Sequence, residues 1–349
     1  MGGDFVKLGK ERIIALTLAT VSLVLSALFV SNFTESVAAA VTHENRLTFT
    51  EPENASVLTF TEVEPKTESE AKTNKEEGVS EKKTEVKGKK LGKISEQFIS
   101  PYTANTHEGK IYLNNGTGIK ISPKKLADSV KDYERTDSVQ VLILHTHATE
   151  NYTLSTDGYF RKSDLSRTKS ENNNVIGVGN EVEKCLKRAG IGVIHDKTLH
   201  DSPAYTGSYT RSAATLDTYL KKYKGLKLVL DIHRDSIGSD KNQVKPVAKI
   251  KGKKAAQVMI CVGSNTGEVD YFPHWKKNLA VGLKLQRIIE TKYPGLARGL
   301  FLGYERCYNQ NMHQGAVIIE FGTNANSFDE AKYSATLVGE CIKTMFKSG

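Results

Sequence analysis

Cysteine is scarce in this chain and poorly placed to hold a fold together. Four occur in 349 residues, Cys185, Cys261, Cys307 and Cys341, and no two form a C-x-x-C pair. That spacing excludes a cysteine-based zinc finger and a disulfide framework, and leaves the four as small hydrophobes for helix and strand interiors. Internal repeats are absent, so the chain is not a solenoid. A helix-turn-helix, an RNA-recognition signature and a basic-aromatic pattern are absent too, so the net charge of +9 does not point to nucleic acid. The triplet Gly177-Val178-Gly179 sits inside a helical repeat with no strand and turn before it, which excludes a nucleotide loop.

Two local deficits set the organisation. Residues 13–30, IIALTLATVSLVLSALFV, carry no charge and are long enough to cross a bilayer as a helix. Lys7, Lys10 and Arg12 precede them, which places the first twelve residues in the cytoplasm and the rest outside. A cleaved signal peptide is the alternative, with Ala38 and Ala40 offering an A-x-A site. That site lies ten residues beyond the apolar run, and the run is long for a signal peptide, so a retained single-pass anchor is the preferred reading. Apolar residues in turn nearly vanish between 61 and 93, as in KTESEAKTNKEEGVSEKKTEVKGKK. Such a stretch buries too little surface to offset ordering, and Gly78, Gly88 and Gly92 favour a flexible tether over a charged helix. The expected plan is a cytoplasmic 1–12, a membrane anchor 13–30, a charged linker 31–94 and one extracytoplasmic catalytic domain over 95–349. Beyond Lys93 the chain carries 36 basic and 26 acidic residues, a surplus that suits attraction to a wall or membrane polyanion.

Within 95–349, strand and helix patterns alternate. KIYLNNGTGIKI (110–121) reads as a β-hairpin turning at Asn-Asn-Gly, and Ser122-Pro123 as the start of a helix reaching about residue 133. VQVLILH (139–145) is a buried strand, followed by a polar loop over 146–173 long enough to face a substrate. Val175, Val178, Val182 and Leu186 mark a helix closed by Gly190. IGVIHD is a strand, 208–224 a helix and LKLVLDIH a strand. VKPVAKI and AAQVMICVG form two strands joined at Lys251-Gly252-Lys253, a helix over 275–293 stops at Pro294-Gly295, and GLFLGYERCY holds a strand or hairpin arm. AVIIEFG is a buried strand, and an amphipathic helix closes the chain. This alternation predicts an α/β single domain with a central, mostly parallel mixed sheet flanked by helices.

Chemistry collects where three of these strands end. After 139–144 come His145, His147 and Glu150; after 226–232 comes His233, within DIHRD; after 316–319 comes Glu320. Open α/β sheets place their sites at that edge. Two imidazoles and a carboxylate leave a zinc ion positively charged with an open position, and a nearby carboxylate can move protons. His147 and Glu150 form H-x-x-E in a turn, so both can reach one ion, with His233 as the third ligand and Glu320 as general base. On a strand His145 and His147 point the same way. His147 lies further out and is preferred, leaving His145 behind the ligands or against substrate. Arg234 is expected to pair with a carboxylate or contact substrate, and Asp231 or Asp235 to orient an imidazole.

HTHATENY at 145–152, NVIGVG at 174–179, LDIHRDS at 230–236 and VIIEFGTNAN at 317–326, in this order, resemble the stage II sporulation protein P family of endospore-forming Firmicutes. The resemblance covers residues 95–349, and the anchor and tether fit it. It implies a relation to zinc-dependent N-acetylmuramoyl-L-alanine amidases. It also implies cleavage of the amide between muramic acid and stem peptide and of a peptide bond in cross-links, with peptidoglycan as substrate. It further implies a place in the mother-cell membrane, facing the intermembrane space during forespore engulfment, with the membrane-anchored sporulation proteins D and M as partners. The family's amidase role passes to His147, His233 and Glu320. One departure is the absence of the glycine-rich turn that the wall amidases carry around the first histidine. It leaves two carboxylate ligands in play: Glu150 matches the H-x-x-E of zinc carboxypeptidases, Glu171 the amidases by position. Glu150 is preferred because Glu171 lies in a Ser/Asn run that reads as a helix cap. Two rival readings follow. A carboxypeptidase needs an arginine for the terminal carboxylate, with Arg161, Arg211 and Arg234 as candidates. A wall-binding scaffold with a lapsed site is opposed by the completeness of the His/Glu/His plus Glu set.

Overall fold

The computed structural model describes residues 88–347 except 166, 267–270 and 305. The chain divides into Met1–Gly78 and Val79–Gly349, and the described residues lie in the second unit. The expected anchor at 13–30 and nearly all of the expected linker lie outside them. Among the described residues no helix is long and apolar enough to cross a membrane. The strands are β1 (Lys90–Gln97), β2 (Thr106–Glu108), β3 (Ile111–Asn115), β4 (Val139–Leu144), β5 (Tyr159–Arg161), β6 (Gly192–His195), β7 (Leu228–Asp235), β8 (Gly238–Ser239), β9 (Asn242–Ile250), β10 (Lys253–Ala256), β11 (Val258–Val262), β12 (Leu300–Leu302) and β13 (Ala316–Thr323). The α-helices are α1 (Pro123–Ser129), α2 (Val175–Arg188), α3 (Ser208–Lys222), α4 (Trp275–Lys292) and α5 (Phe328–Ile342).

One sheet runs β2-β3-β12-β11-β13-β7-β4-β6. β13, β7, β4 and β6 are parallel neighbours, and β11 joins β13 antiparallel. This is the mixed, mostly parallel sheet in one α/β body that the alternating pattern predicts. β4 and β7 are buried almost throughout because both sheet faces are covered. On one face Val141, Ile143, Leu230, Ile232, Val317 and Ile319 pack against α2, α4 and α5. On the other, Leu142, Leu144, Val229 and Ala316 pack against Leu216 of α3. Asn174 caps α2 by accepting from the backbone N–H groups of Ile176 and Gly177. A Cβ on Gly177 would meet the carbonyl oxygen of Glu171 at 1.9 Å, so the glycines of this segment serve close packing.

Several boundaries differ from expectation for identifiable reasons. The hairpin is β2–β3, turning at Gly109 with φ 63°, one arm earlier than the expected 110–121. Asn115 instead binds Thr117 N and the Ile119 carbonyl, bending the chain towards α1. α1 ends at Ser129, and Ser122 contributes no side-chain cap. AAQVMICVG is divided at Gln257 between β10, paired with β9, and β11 in the large sheet. β7 and β13 run past His233 and Glu320, because pairing continues through Glu320↔His233 to Thr323↔Asp235. Both residues therefore lie within strands, not after them.

A second, smaller sheet, β10-β9-β1-β5 with β8 on β9, was not evident in the sequence. Its strand β1 begins at Lys90, inside the stretch read as linker. Gly92, taken as a mark of flexibility, is a contact residue. A Cβ there would lie 2.4 Å from the Lys241 carbonyl oxygen and 2.5 Å from the Phe160 ring. Gly92→Ala is therefore expected to destabilise the protein by about 2–3 kcal/mol. Gly118→Ala, at φ 70° in open space, should cost only about 1 kcal/mol. Chemical denaturation of the two variants beside the parent checks the order, and equal losses would count against β1.

Candidate active site

The three parallel strands β4, β7 and β13 lie side by side and bring their C-terminal ends to one edge. His147 and Glu150 follow β4 in a turn closed by the Glu150 N–H donating to the His147 carbonyl at 3.1 Å. His233 sits near the end of β7 and faces its register partner Glu320 on β13. All four are buried. The His147 and His233 rings lie 5.3 Å apart at 88°. His233 Nδ1 is 3.5 Å from Glu150 Oε2, and its Nε2 is 2.9 Å from Asp231 Oδ1. The Nε2–H is not aligned with that oxygen, so Nε2 has a charged neighbour but no hydrogen bond.

The electrostatics follow from an imidazole held between two carboxylates. Burial alone would drive the His233 pKa down, but Asp231 and Glu150 raise it well above the ordinary value. Burial likewise opposes ionisation of Glu150, and His233 with Arg234 nevertheless holds its pKa below the usual range. The Arg234 backbone N–H donates to Glu150 Oε2 at 3.1 Å. Asp231 is fixed by Thr146, whose N–H and hydroxyl donate at 2.8 and 2.7 Å. Glu320 is different. Burial pushes its pKa up to about 8, with Asp235 and Glu150 adding to the rise and His233 and Arg298 opposing it. Its Oε2 has no hydrogen-bond partner.

His147 is pushed down to about 4 by burial, so it is neutral and able to offer a lone pair. Ser208 Oγ lies 3.2 Å from Nδ1 and the Tyr205 hydroxyl 3.2 Å from Nε2. The Tyr205 ring is stacked on the imidazole at 14°, so its hydroxyl approaches from above the ring and not along the in-plane lone pair of Nε2. Arg167 lies over the outer face of Tyr205, 4.5 Å from the centroid, and pairs with buried Asp201. Among the described residues no three His, Cys, Asp or Glu side chains already stand as a closed metal-ligand group. The donor set nonetheless suits a divalent cation. Two ligand atoms on a tetrahedral zinc are roughly 3.3 Å apart, close to the 3.5 Å between His233 Nδ1 and Glu150 Oε2. The Asp231 carboxylate beside the opposite ring nitrogen is the usual support for a metal-bound imidazole.

His145 takes no place in the cleft. It is fully buried, bonding the Ile232 carbonyl through Nδ1 at 2.9 Å and His195 through Nε2 at 2.8 Å. Of the two roles expected for it, these contacts fit the one behind the cluster, supporting the backbone just before His233. Glu171 is held by Lys197 and Asn180, and Glu150 is the carboxylate beside His233. The Arg234 side chain donates to the Asn151 carbonyl, and Asp235 lies against Arg298 and not against an imidazole. Tyr205, Ser208 and Arg298 carry no signal in the sequence, since each reaches the site from a distant segment.

A carboxyl whose folded pKa is raised keeps its proton longer in the folded state, so stability falls as pH rises from about 5 through about 8. In metal-free protein, Glu320→Gln should remove that decline. The variant should match the parent at pH 5 and exceed it at pH 8.5 by an amount on the order of a few kcal/mol, read by urea unfolding. Parallel pH curves for the two proteins would show that Glu320 is not buried as a strained acid.

A family model described as Stage II sporulation protein P (SpoIIP) matches residues 29–343. Stage II sporulation protein P of Bacillus subtilis (strain 168) is 30% identical over 220 residues, covering 60% of this chain and 52% of the relative. The chain thus matches about half the length of that relative. Among solved structures, the CwlD amidase of Clostridioides difficile in complex with the GerS lipoprotein is 10% identical. It matches 59% of this chain and 98% of that one at a TM-score of 0.38. The apo N-acetylmuramyl-L-alanine amidase Ami1 of Mycobacterium abscessus is 13% identical, covering 59% and 99%, with a TM-score of 0.34. Scores of this size leave the chemistry to be argued from the side chains.

Proposed function

The chain belongs to the stage II sporulation protein P family, and we propose that it is a zinc-dependent peptidoglycan hydrolase, an N-acetylmuramoyl-L-alanine amidase that also cleaves cross-link peptide bonds. The supporting observation is the convergence of His147, Glu150, His233 and Glu320 on one sheet edge. His147, Glu150 and His233 would hold the ion, which would polarise the scissile carbonyl and acidify a water molecule. Asp231 sets its charge against the far nitrogen of the His233 ring, the Arg234 N–H fixes Glu150, and Ser208 fixes His147. Glu320, an acid of raised pKa at the same edge, takes the water proton and delivers it to the leaving amide nitrogen. The proposed setting is the mother-cell membrane, with the catalytic domain facing the wall in forespore engulfment beside sporulation proteins D and M.

The carboxypeptidase reading loses two of its three expected clamps, Arg161 and Arg211. The Arg161 terminal nitrogens go to Asp157, Ser155 and the Tyr159 carbonyl. Those of Arg211 go to the Thr206 and Ala204 carbonyls, and Arg234 Nε to Asn151. These commitments favour cleavage of internal amides.

Digestion of purified peptidoglycan by the full chain with added zinc, read by mass spectrometry, separates the alternatives. Free stem peptides are expected. Loss of terminal residues alone would indicate a carboxypeptidase, and no release at all a scaffold. Glu320→Gln should lower turnover by roughly 10²–10⁴-fold while metal content is retained, and a fully active Glu320→Gln would remove Glu320 from the reaction.

A further inference from the structure

Beside Glu320 the sheet edge holds buried polar atoms that the proposed reaction leaves unused. Arg298, between β11 and β12 in the sheet, is pinned by its own backbone. Its N–H donates to the Val258 carbonyl at 2.8 Å, and its carbonyl accepts from Gln286 Nε2 at 3.0 Å. Its side chain crosses to Asp235 at the end of β7, where Nη1 lies 2.9 Å from Oδ2. Only 6% of the side chain is exposed. Arg298 Nε and Nη2, Glu320 Oε2 and Asn324 Oδ1 are buried without a hydrogen-bond partner, and Asp235 Oδ2 meets only the Arg298 guanidinium. Asn324 stands beside Asp235, donating its N–H to the Asp235 carbonyl at 3.0 Å, and its amide nitrogen is committed to Gln243.

Most buried polar atoms in folded proteins are paired, and leaving one unpaired costs stability. A cluster of such orphans beside a general base is the signature of a site shaped for a polar guest. The orphans are mixed: guanidinium donors on one side, carboxylate and amide acceptors on the other. Asp235 already balances the Arg298 charge, so an anionic guest would gain little and would face the Asn324 amide oxygen and two acidic side chains. A secondary amide supplies what both halves lack, a carbonyl for Arg298 and an N–H for Asn324.

We propose that Arg298 is a substrate-binding residue of this site, holding a carbonyl oxygen of a stem-peptide amide through Nε and Nη2, with Asp235 keeping the guanidinium in place. The proposal rests on the hydrolase reading, and it assigns to this chain a peptide-recognition element remote in sequence from the His and Glu motifs.

The test uses the full chain with Glu320→Gln, so that ligand is not consumed, and a soluble disaccharide-tetrapeptide muropeptide as probe. Binding is followed by calorimetry, with thermal unfolding and metal content measured on the same samples. Arg298→Lys keeps the charge opposite Asp235 but loses the planar fork, and Arg298→Met with Asp235→Asn removes the pair together. Both should weaken muropeptide binding at least tenfold in the Glu320→Gln background while metal content stays unchanged. The loss should be equal for a muropeptide whose terminal carboxylate is amidated. Undiminished binding by folded Arg298→Lys and by the double variant would overturn the proposal. A loss seen only with the free carboxylate would overturn the carbonyl assignment and make Arg298 a carboxylate clamp. If Glu320→Gln alone binds no muropeptide, the hydrolase reading fails and the proposal falls with it.

Discussion

Asp231 and Glu150 set two buried carboxylates against the two nitrogens of one imidazole, and the rest of the site is arranged around that contact. Burial opposes every charge involved, yet the pair holds each carboxyl ionised and His233 protonated in the absence of metal. A locus that stabilises a proton so strongly is one that calls for a cation. The chain supplies that locus cheaply, because Asp231 and His233 sit two residues apart on one strand and face the same side of the sheet. Glu150 is brought opposite by the turn after β4, and His147 stands edge-on to His233.

Sheet topology explains why the same edge also carries Glu320. β7 lies between β4 and β13, so residues flanking its end meet partners from both neighbours. Glu320 is register partner to His233, and its burial beside two other carboxylates raises its pKa, whereas Glu150, set against His233, is held below the usual carboxylate range. Groups of the same chemical type thereby acquire different work from their surroundings. His145 and Thr146 complete the arrangement from beneath, tying the Ile232 carbonyl and Asp231 to the end of β4.

The central strands were legible because burial on both faces demands near-continuous apolar runs, and VQVLIL and AVIIEF are such runs. His147, Glu150, His233 and Glu320 stood out because polar groups at the ends of such runs are costly to bury unpaired, and the structure brings all four to one sheet edge. The ends of the strands were less so. Pairing carried β7 and β13 on through polar residues, a tertiary effect that local hydrophobicity does not encode. β1 escaped notice for the same reason: KLGKISEQ is polar and half exposed, and becomes a strand only between β9 and β5. Tyr205 and Ser208 meet His147 across 58 and 61 residues, and Arg298 meets Asp235 from another segment, with no motif to announce them. Glu150 and Glu171, evenly placed by motif and by analogy, were separated only by what each one touches.

The proposed metal site is the claim on which the enzymatic account turns, and zinc K-edge absorption spectroscopy on the full chain tests it most directly. The account predicts about one zinc per chain, bound by two imidazole nitrogens and a carboxylate oxygen at roughly 2.0–2.2 Å with no sulfur, and loss of one imidazole shell in His147→Ala. A chain that binds no stoichiometric zinc, or one whose zinc is held by sulfur or is unaffected by that substitution, would contradict it.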